Sequence, residues 1–378
     1  MRMQLLGGLT AKQFLSQFWQ RKPLLVRNAI DRFEGPVQAP ELLALAARSD
    51  VESRIVRRDR RKWKVSEGPF SRSELGRMPR SGWTILVQGL NLEVPAADRL
   101  LRLFRFVPHA RVDDVMASYA APGGGVGPHF DSYDVFLLQG EGRRRWRIAR
   151  RYDPALEPGI PIRILRRFRA EKEWVLGPGD MLYLPPGWAH EGVAVGPCVT
   201  YSIGFRAPSR AEIAREFLGF LQDGVDSDGL YADRGATPPR HPGEIPRKMV
   251  AHAVAAVESV RWRKRDVARL LGAYLSEPKP HVVFPRPRER LAPARLASRL
   301  RARGLRLDAR SRMLFRGTDF FVNGERVEAS ARERALLARL ADERSLPRGV
   351  RVSPRLAQQL HAWYLAGWLR VGDHDGRG

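Results

Sequence analysis

Between Val112 and Phe205 the sequence consists of short apolar segments that alternate with polar residues and are separated by turns rich in Gly and Pro. Period-two segments bounded by turn residues are typical of β-strands that bury one face. Many short strands joined in this way favour a sandwich or barrel, including the double-stranded jelly roll. The sequence therefore predicts a mainly β core with helices before and after it.

Two segments of this β region carry residue types that bind metals. In PHFDSYD, His129 and Asp131 are two positions apart, so both side chains leave the same face of a strand. In the second segment, His190 follows a turn at Pro185–Gly187. Two imidazoles and one carboxylate form the facial triad that holds ferrous iron and leaves coordination positions open. We therefore predict that His129, Asp131 and His190 are the metal ligands and catalytic residues of an iron oxygenase.

Either motif alone is a weak signal, because a single histidine is more often a core or surface residue than a ligand. The two motifs together, about sixty residues apart in one β region, favour ligation. The glycines Gly123–Gly125 do not form a phosphate-binding loop, since no helix with a Lys-Ser/Thr pair follows them. We expect them to let the backbone turn sharply into the strand of His129.

The strand predicted after the first motif places one arginine among apolar residues. Arg144 shares a face with Trp146 and Ile148, whereas Arg143, Arg145 and Arg147 share the opposite face. A buried guanidinium needs a carboxylate partner, which it can bind through two parallel hydrogen bonds. That partner is either an acidic residue of the protein, in a structural salt bridge, or the distal carboxylate of a dicarboxylic cosubstrate. The second interpretation is the one we favour.

The net charge of +25 is large enough to attract nucleic acid. It comes from 58 Arg and only 8 Lys, a bias that is equally typical of a GC-rich coding background. Both explanations remain open. Charge alone reads no base sequence, so we do not expect direct DNA binding to be the main function.

Other features exclude several classes of protein. We find no run of about eighteen apolar residues, so no transmembrane helix and no membrane partner are predicted. The single cysteine, Cys198, excludes an internal disulfide framework and a thiolate metal cluster, and it suits a cytoplasmic protein. No G-x-S-x-G motif of a serine hydrolase occurs.

Outside the β region the patterns are mostly helical. Thr10 and Gln13 form a capping box that predicts a helix from Ala11 to about Arg21. Further helices are predicted from Ser209 onward, over 247–276 and over 293–303, and a proline-rich linker over 278–292. After the linker, paired short strands Met313–Phe315 and Phe320–Val322 and two more helices match the element order of a small winged-helix domain.

The motifs HFD and PPGWAH resemble those of the cupin and JmjC oxygenases. The longer strings LLGGLTAKQFLSQFWQRKPLLVRNA, PGGGVGPHFDSYDVFLLQGEGRRRWRI and YSIGFRAPS resemble more narrowly the bacterial ribosomal oxygenases, which hydroxylate an arginine of large-subunit ribosomal protein sixteen. The resemblance covers nearly the whole chain. It is strongest over 112–206 and weak beyond about 245.

The resemblance implies a double-stranded β-helix catalytic domain at 1–208, with its core at about 95–206. It also implies a helical dimerisation domain at 209–285, hence a homodimer, and a winged-helix-like domain at 286–378. Iron(II) would be held by the predicted triad, and 2-oxoglutarate by Arg144 with help from Ser118. With O2 as the other cosubstrate, the enzyme would 3-hydroxylate an arginine and release succinate and CO2.

Substrate recognition is the least constrained part of this hypothesis. An arginyl target needs carboxylates and aromatic faces, and Tyr133 and Asp134 are candidates; ordinary strand residues are the alternative for both. A related histidyl hydroxylase or demethylase would use the same triad and cosubstrate. A non-enzymatic cupin-like protein that binds metal or nucleic acid would form no succinate.

Overall fold

The structure, a computed structural model, describes residues 4–59, 62–160, 162–222, 224 and 229–372. The outer ends of the first and last predicted domains, 1–3 and 373–378, lie outside the described residues. Two antiparallel β-sheets form the centre of the N-terminal half, and the predicted mainly β core is confirmed.

The larger sheet has eight strands, and every neighbouring pair is antiparallel. In spatial order they are β1 (Leu24–Val26), β10 (Met181–Leu184), β7 (Asp134–Gln139), β12 (Cys198–Phe205), β5 (Val112–Ala120), β4 (Trp83–Val87), β2 (Ser53–Asp59) and β3 (Lys62–Glu67). The last two of these strands, β2 and β3, form a hairpin at the edge of the sheet.

The smaller sheet has four strands and covers one face of the larger one. In spatial order they are β6 (His129–Phe130), β11 (Ala189–Ala194), β8 (Arg144–Ala149) and β9 (Lys172–Leu176). Apolar side chains of both sheets form one cluster, in which Trp146 and Ile148 from β8 pack with Val135 and Leu137 from β7. This cluster lies beside the cavity described below.

Helices of the N-terminal half pack on the outer face of the larger sheet. They are α1 (Ala11–Gln17), α2 (Ala39–Ala46), α3 (Arg72–Gly76), α4 (Leu90–Glu93) and α5 (Pro95–Arg102), followed by a 3-10 turn at His109–Arg111. The Thr10–Gln13 capping box is confirmed. The helix ends earlier than predicted, and Gln20, inside the predicted span, adopts a left-handed conformation with φ of 56°.

The segment after the β core contains α6 (Arg210–Gln222), α7 (Arg247–Ser259) and α8 (Lys264–Ser276). The prediction of one helix over 247–276 is therefore wrong. Val260 and Arg263 are extended, and the Asp266 side chain accepts the Arg263 backbone N–H at 2.8 Å, which starts a new helix. Neither α6 nor α7 has a buried residue.

The C-terminal module has two small sheets and three helices. Its elements are α9 (Pro293–Arg303), β13 (Leu305–Leu307), β14 (Met313–Arg316), β15 (Asp319–Val322), β16 (Glu325–Glu328), α10 (Ala331–Glu343), β17 (Ser345–Leu346), α11 (Pro354–Leu365) and β18 (Leu369–Val371). The predicted pairing of the strands at 313–315 and 320–322 is confirmed. Asn323 and Gly324, both at positive φ, form a turn into β16, and this strand was not predicted from the sequence.

Polar contacts attach this module to the β core. The Arg310 guanidinium pairs with Glu93 at 2.7 Å, and Arg312 donates to the carbonyl oxygen of Val112 at 3.2 Å. Lys279, from the predicted linker, lies 3.4 Å from the Asp113 carboxylate at the start of β5. No helix in the described part of the chain is both long and apolar enough to cross a membrane.

Candidate metal centre

Strand pairing brings the two predicted metal-binding motifs together. β6 pairs with β11 so that His129 is directly opposite His190, and Asp131 follows two positions later. The Nε2 atoms of His129 and His190 lie 3.9 Å and 3.6 Å from Asp131 Oδ2. One potential ligand atom from each of the three residues lies within 4.8 Å of the other two. A divalent ion fits this spacing, because all three groups can reach one point.

Backbone carbonyls set the orientation of both imidazoles. His129 Nδ1 lies 2.9 Å from the Gly127 carbonyl oxygen, and His190 Nδ1 lies 3.0 Å from that of Trp188. A carbonyl oxygen only accepts hydrogen bonds, so each Nδ1 carries the proton and each Nε2 keeps its lone pair for a metal. Burial and the neighbouring His129 lower the pKa of His190 to about 4, which leaves this ring neutral at pH 7.

Glycines allow the two motifs to approach each other. A Cβ atom on Gly125 would lie 2.4 Å from the Gly192 carbonyl oxygen, and one on Gly124 would lie 2.0 Å from that of Trp83. The turn after β10 also contacts the first motif directly, since Gly187 N–H donates to the Asp131 carbonyl oxygen at 2.8 Å. Close backbone approach therefore explains these glycines.

A cavity of about 560 Å³ opens from the three metal-binding residues and extends between the two sheets. Arg144 lies in its wall, 5% exposed, and donates from Nη1 to Ser118 Oγ at 3.1 Å. Its Nε is buried without a hydrogen-bond partner, and none of the described acidic residues forms a salt bridge with it. Two partners were considered for Arg144, an acidic residue of the protein and the carboxylate of a cosubstrate. Among the residues that the structure describes, no acidic side chain is the partner of Arg144. The guanidinium is suited to an anion inside the cavity.

The two predicted substrate-binding residues are in different environments. Tyr133 lines the cavity, and burial raises the pKa of its hydroxyl, so the phenol stays protonated. Asp134 is fully buried, and its carboxylate accepts hydrogen bonds from Tyr183, Gln20 and Arg111 at 2.6 to 3.0 Å. The structure does not support the substrate-binding role predicted for Asp134, because its carboxylate is occupied and does not line the cavity.

The cavity wall contains an acidic pair that was not predicted from the sequence. Asp113 and Asp114 line the cavity together with Lys279, whose Nζ lies 3.5 Å from Asp114 Oδ2. Burial, and then the charge of Asp113, raise the pKa of Asp114. Asp114 could have been predicted, because it lies two positions before Met116 and four before Ser118 and so shares their face of the strand. No comparable signal exists for Lys279.

Comparisons with known proteins agree with this geometry. Residues 99–213 match the JmjC domain family, and residues 259–370 match the ROXA-like winged helix. The chain is similar to the ribosomal protein uL16 3-hydroxylase of Escherichia coli, with 33% identity over 323 residues, 84% of this chain and 86% of that protein.

Solved structures of the Escherichia coli protein YcfD are also similar. One X-ray structure has a TM-score of 0.84 at 30% identity and covers 96% of this chain and 98% of that chain. The structure of YcfD, a ribosomal oxygenase, in complex with cobalt and 2-oxoglutarate has a TM-score of 0.81 at 31% identity, with the same coverage. The likeness therefore extends over the β core, the helical segment and the C-terminal module.

Proposed function

The chain belongs to the JmjC-domain ribosomal oxygenases, and on this premise we propose that it is an iron(II)- and 2-oxoglutarate-dependent oxygenase that 3-hydroxylates an arginine of large-subunit ribosomal protein uL16. One observation carries the proposal most directly. Buried Arg144, without an acidic partner among the described residues, faces the same cavity as His129, Asp131 and His190. An anionic cosubstrate beside a metal is the chemistry that these groups fit.

His129, Asp131 and His190 would hold the iron, which with bound 2-oxoglutarate supplies oxygen chemistry on an unactivated C–H bond and releases succinate and CO2. Arg144 would bind the distal carboxylate of 2-oxoglutarate, and Ser118 would orient the guanidinium through its hydroxyl. Trp146 and Leu137 line the same cavity and exclude water from it.

The acidic wall supports a cationic target. Asp113 and Asp114 provide carboxylates for a guanidinium, and the Tyr133 ring lies in the same cavity. Lys279 already pairs with both carboxylates, and a guanidinium would share them through charge-assisted hydrogen bonds. A neutral imidazole cannot form such bonds, so these residues favour an arginyl substrate over a histidyl one. A methylated lysine is also cationic, so these carboxylates do not distinguish an arginine hydroxylase from a lysyl demethylase.

A succinate-release assay with an arginine-bearing uL16 peptide tests the function. We expect succinate formation that depends on added iron, and a peptide heavier by one oxygen in mass spectrometry. Asp131→Ala should abolish both and weaken manganese binding, because it removes a charged ligand. The exposed Asp31 provides the matched control, Asp31→Ala, which should behave like the wild type. Succinate without any gain of mass on arginine, or loss of a methyl group, would contradict arginine hydroxylation.

Dimerisation and a cytoplasmic location are part of the same proposal. Apolar side chains on α6 and α7 are exposed, among them Leu218 at 68% and Val257 at 74%. Such side chains at helical spacing are suited to burial against a second copy of the chain. A ribosomal protein as the proposed target supports a cytoplasmic location.

A further inference from the structure

Two segments surround the mouth of the cavity next to the strand of His129. One is the β2–β3 hairpin, and the other is the connection between β8 and β9, residues 150–171. They meet at Gly127, where an added Cβ would lie 3.0 Å from the Trp63 ring and 3.1 Å from Ile164. The connection is also anchored to the metal-binding strand, since Leu165 N–H donates to the Pro128 carbonyl oxygen at 2.8 Å.

Both segments carry exposed basic side chains, which we call the basic rim. Its members are Lys62, Lys64, Arg150, Arg151, Arg163, Arg166, Arg167 and Arg169. The connection has six arginines and three acidic residues, Asp153, Glu157 and Glu171, a net charge of 6 − 3 = +3. None of the rim residues is in a salt bridge with an acidic group in the described ranges. By contrast, other arginines such as Arg48, Arg310 and Arg326 are neutralised by carboxylates.

Aromatic rings are interleaved with these cations. The Arg163 guanidinium lies 5.2 Å from the centre of the Phe130 ring, which lies 5.2 Å from that of Tyr152. Arg147, which lies outside the rim and pairs with Glu191, has its guanidinium 5.7 Å from the ring of Phe168, next to the rim residues Arg167 and Arg169. Arginine combined with aromatic faces is the surface chemistry that binds RNA, through phosphate contacts and base stacking.

The rim and the interior of the cavity differ in charge. Inside, Asp113 and Asp114 can bind a cationic side chain, but acidic and basic groups are mixed there, since Arg144 and Lys279 line the same cavity. The rim outside is basic, so it repels a cationic polypeptide and attracts a polyanion. We propose that the basic rim binds RNA, so that the arginine enters the cavity from a ribosomal protein associated with RNA. This inference rests on the proposed function for the identity of the substrate, but RNA binding itself can be measured independently.

The full-length protein, titrated onto a fluorescent RNA hairpin between about 50 and 200 mM salt, tests the proposal. The variant R166E/R167E/R169E reverses three rim charges. Its matched control, R332E/R334E/R351E, reverses three exposed arginines of the C-terminal module and changes the net charge equally. Poly-glutamate of equal charge serves as a second probe.

We expect the rim variant to lose at least about tenfold in RNA affinity, and the magnitude of its salt slope to fall by about 2 to 3, which is the value for three lost phosphate contacts. The control variant should lose less than about threefold. Equal losses in both variants, or poly-glutamate bound as tightly as RNA, would overturn the proposal. Both variants should hydroxylate a free arginyl peptide as the wild type does; failure of the wild type there would count against the proposed function and leave the RNA result standing.

Discussion

Arg144 shows how far alternation along a strand predicts a side chain's environment. Sequence parity placed it with Trp146 and Ile148, and all three are buried, whereas Arg143 and Arg145 are exposed. The same rule, applied from Ser118 along β5, would have found Asp114. Parity has no bearing on Lys279, because its contact with Asp114 joins residues 165 positions apart.

Replacing Arg144 tests its assignment to the cosubstrate. Arg144→Ala removes charge-assisted hydrogen bonds worth about 1.5–3 kcal/mol, so the KM for 2-oxoglutarate should rise roughly 10- to 150-fold. Steady-state succinate release measures this KM, and a manganese titration should show unchanged metal affinity. The exposed neighbour provides the control, Arg145→Ala, which should keep the wild-type KM. An unchanged KM in Arg144→Ala would refute the assignment.

His190 makes the metal-free protein sensitive to acid. Its pKa in the folded protein is about 4, below the ordinary value of 6.5, so between these values the unfolded chain binds a proton that the folded protein does not. The folded state therefore keeps its full stability above pH 6.5 and loses stability as the pH falls toward 4. From pH 7.5 to pH 5 this residue should cost about 2 kcal/mol of unfolding free energy. Urea unfolding at the two pH values measures the difference. His190→Gln should reduce the loss, and exposed His252→Gln should not; equal losses in all three proteins would rule out this origin.

At the level of elements, strand and helix positions followed from periodicity, but junctions between them did not. The helix at 293–303 has the predicted bounds. The break between α7 and α8 was missed because apolar spacing continues across it, while the Asp266 cap starts a new helix. The partners of Asp134 were not predicted for a related reason, because no pattern in the sequence indicates that Tyr183, Gln20 and Arg111 surround it.

The close backbone contact between Gly125 and β11 can be tested by adding a single methyl group at Gly125. Gly125→Ala would place a Cβ 2.4 Å from the Gly192 carbonyl oxygen, so the loop of Gly125 must move away from β11. We expect a loss of about 1–3 kcal/mol in the free energy of unfolding, together with weaker metal binding. Gly196→Ala has no atom within 4 Å of its new Cβ, and it should change stability by less than about 0.5 kcal/mol. Equal stability of the two variants would show that this contact tolerates a side chain.

At the scale of the whole molecule, the exposed apolar side chains of α7 predict the oligomeric state. Val254 is 47% exposed on this helix, and Val283 is 73% exposed on the linker after α8. Light scattering should give twice 42.8 kDa for the wild type and for Val283→Asp. Val254→Asp buries a charge in the proposed interface and should give monomers. A monomeric wild type, or a dimeric Val254→Asp, would contradict the proposed interface.

The position of Lys279 in the cavity wall has a consequence for synthesis of the chain. The three predicted metal-binding residues lie before residue 191, yet one side chain of the cavity lining, Lys279, comes from nearly ninety residues further along. Ribosomes release the chain from its N-terminus, so the β core emerges first and lacks this side chain while the rest is still being translated. The nascent enzyme therefore acquires its complete pocket only late in its own production.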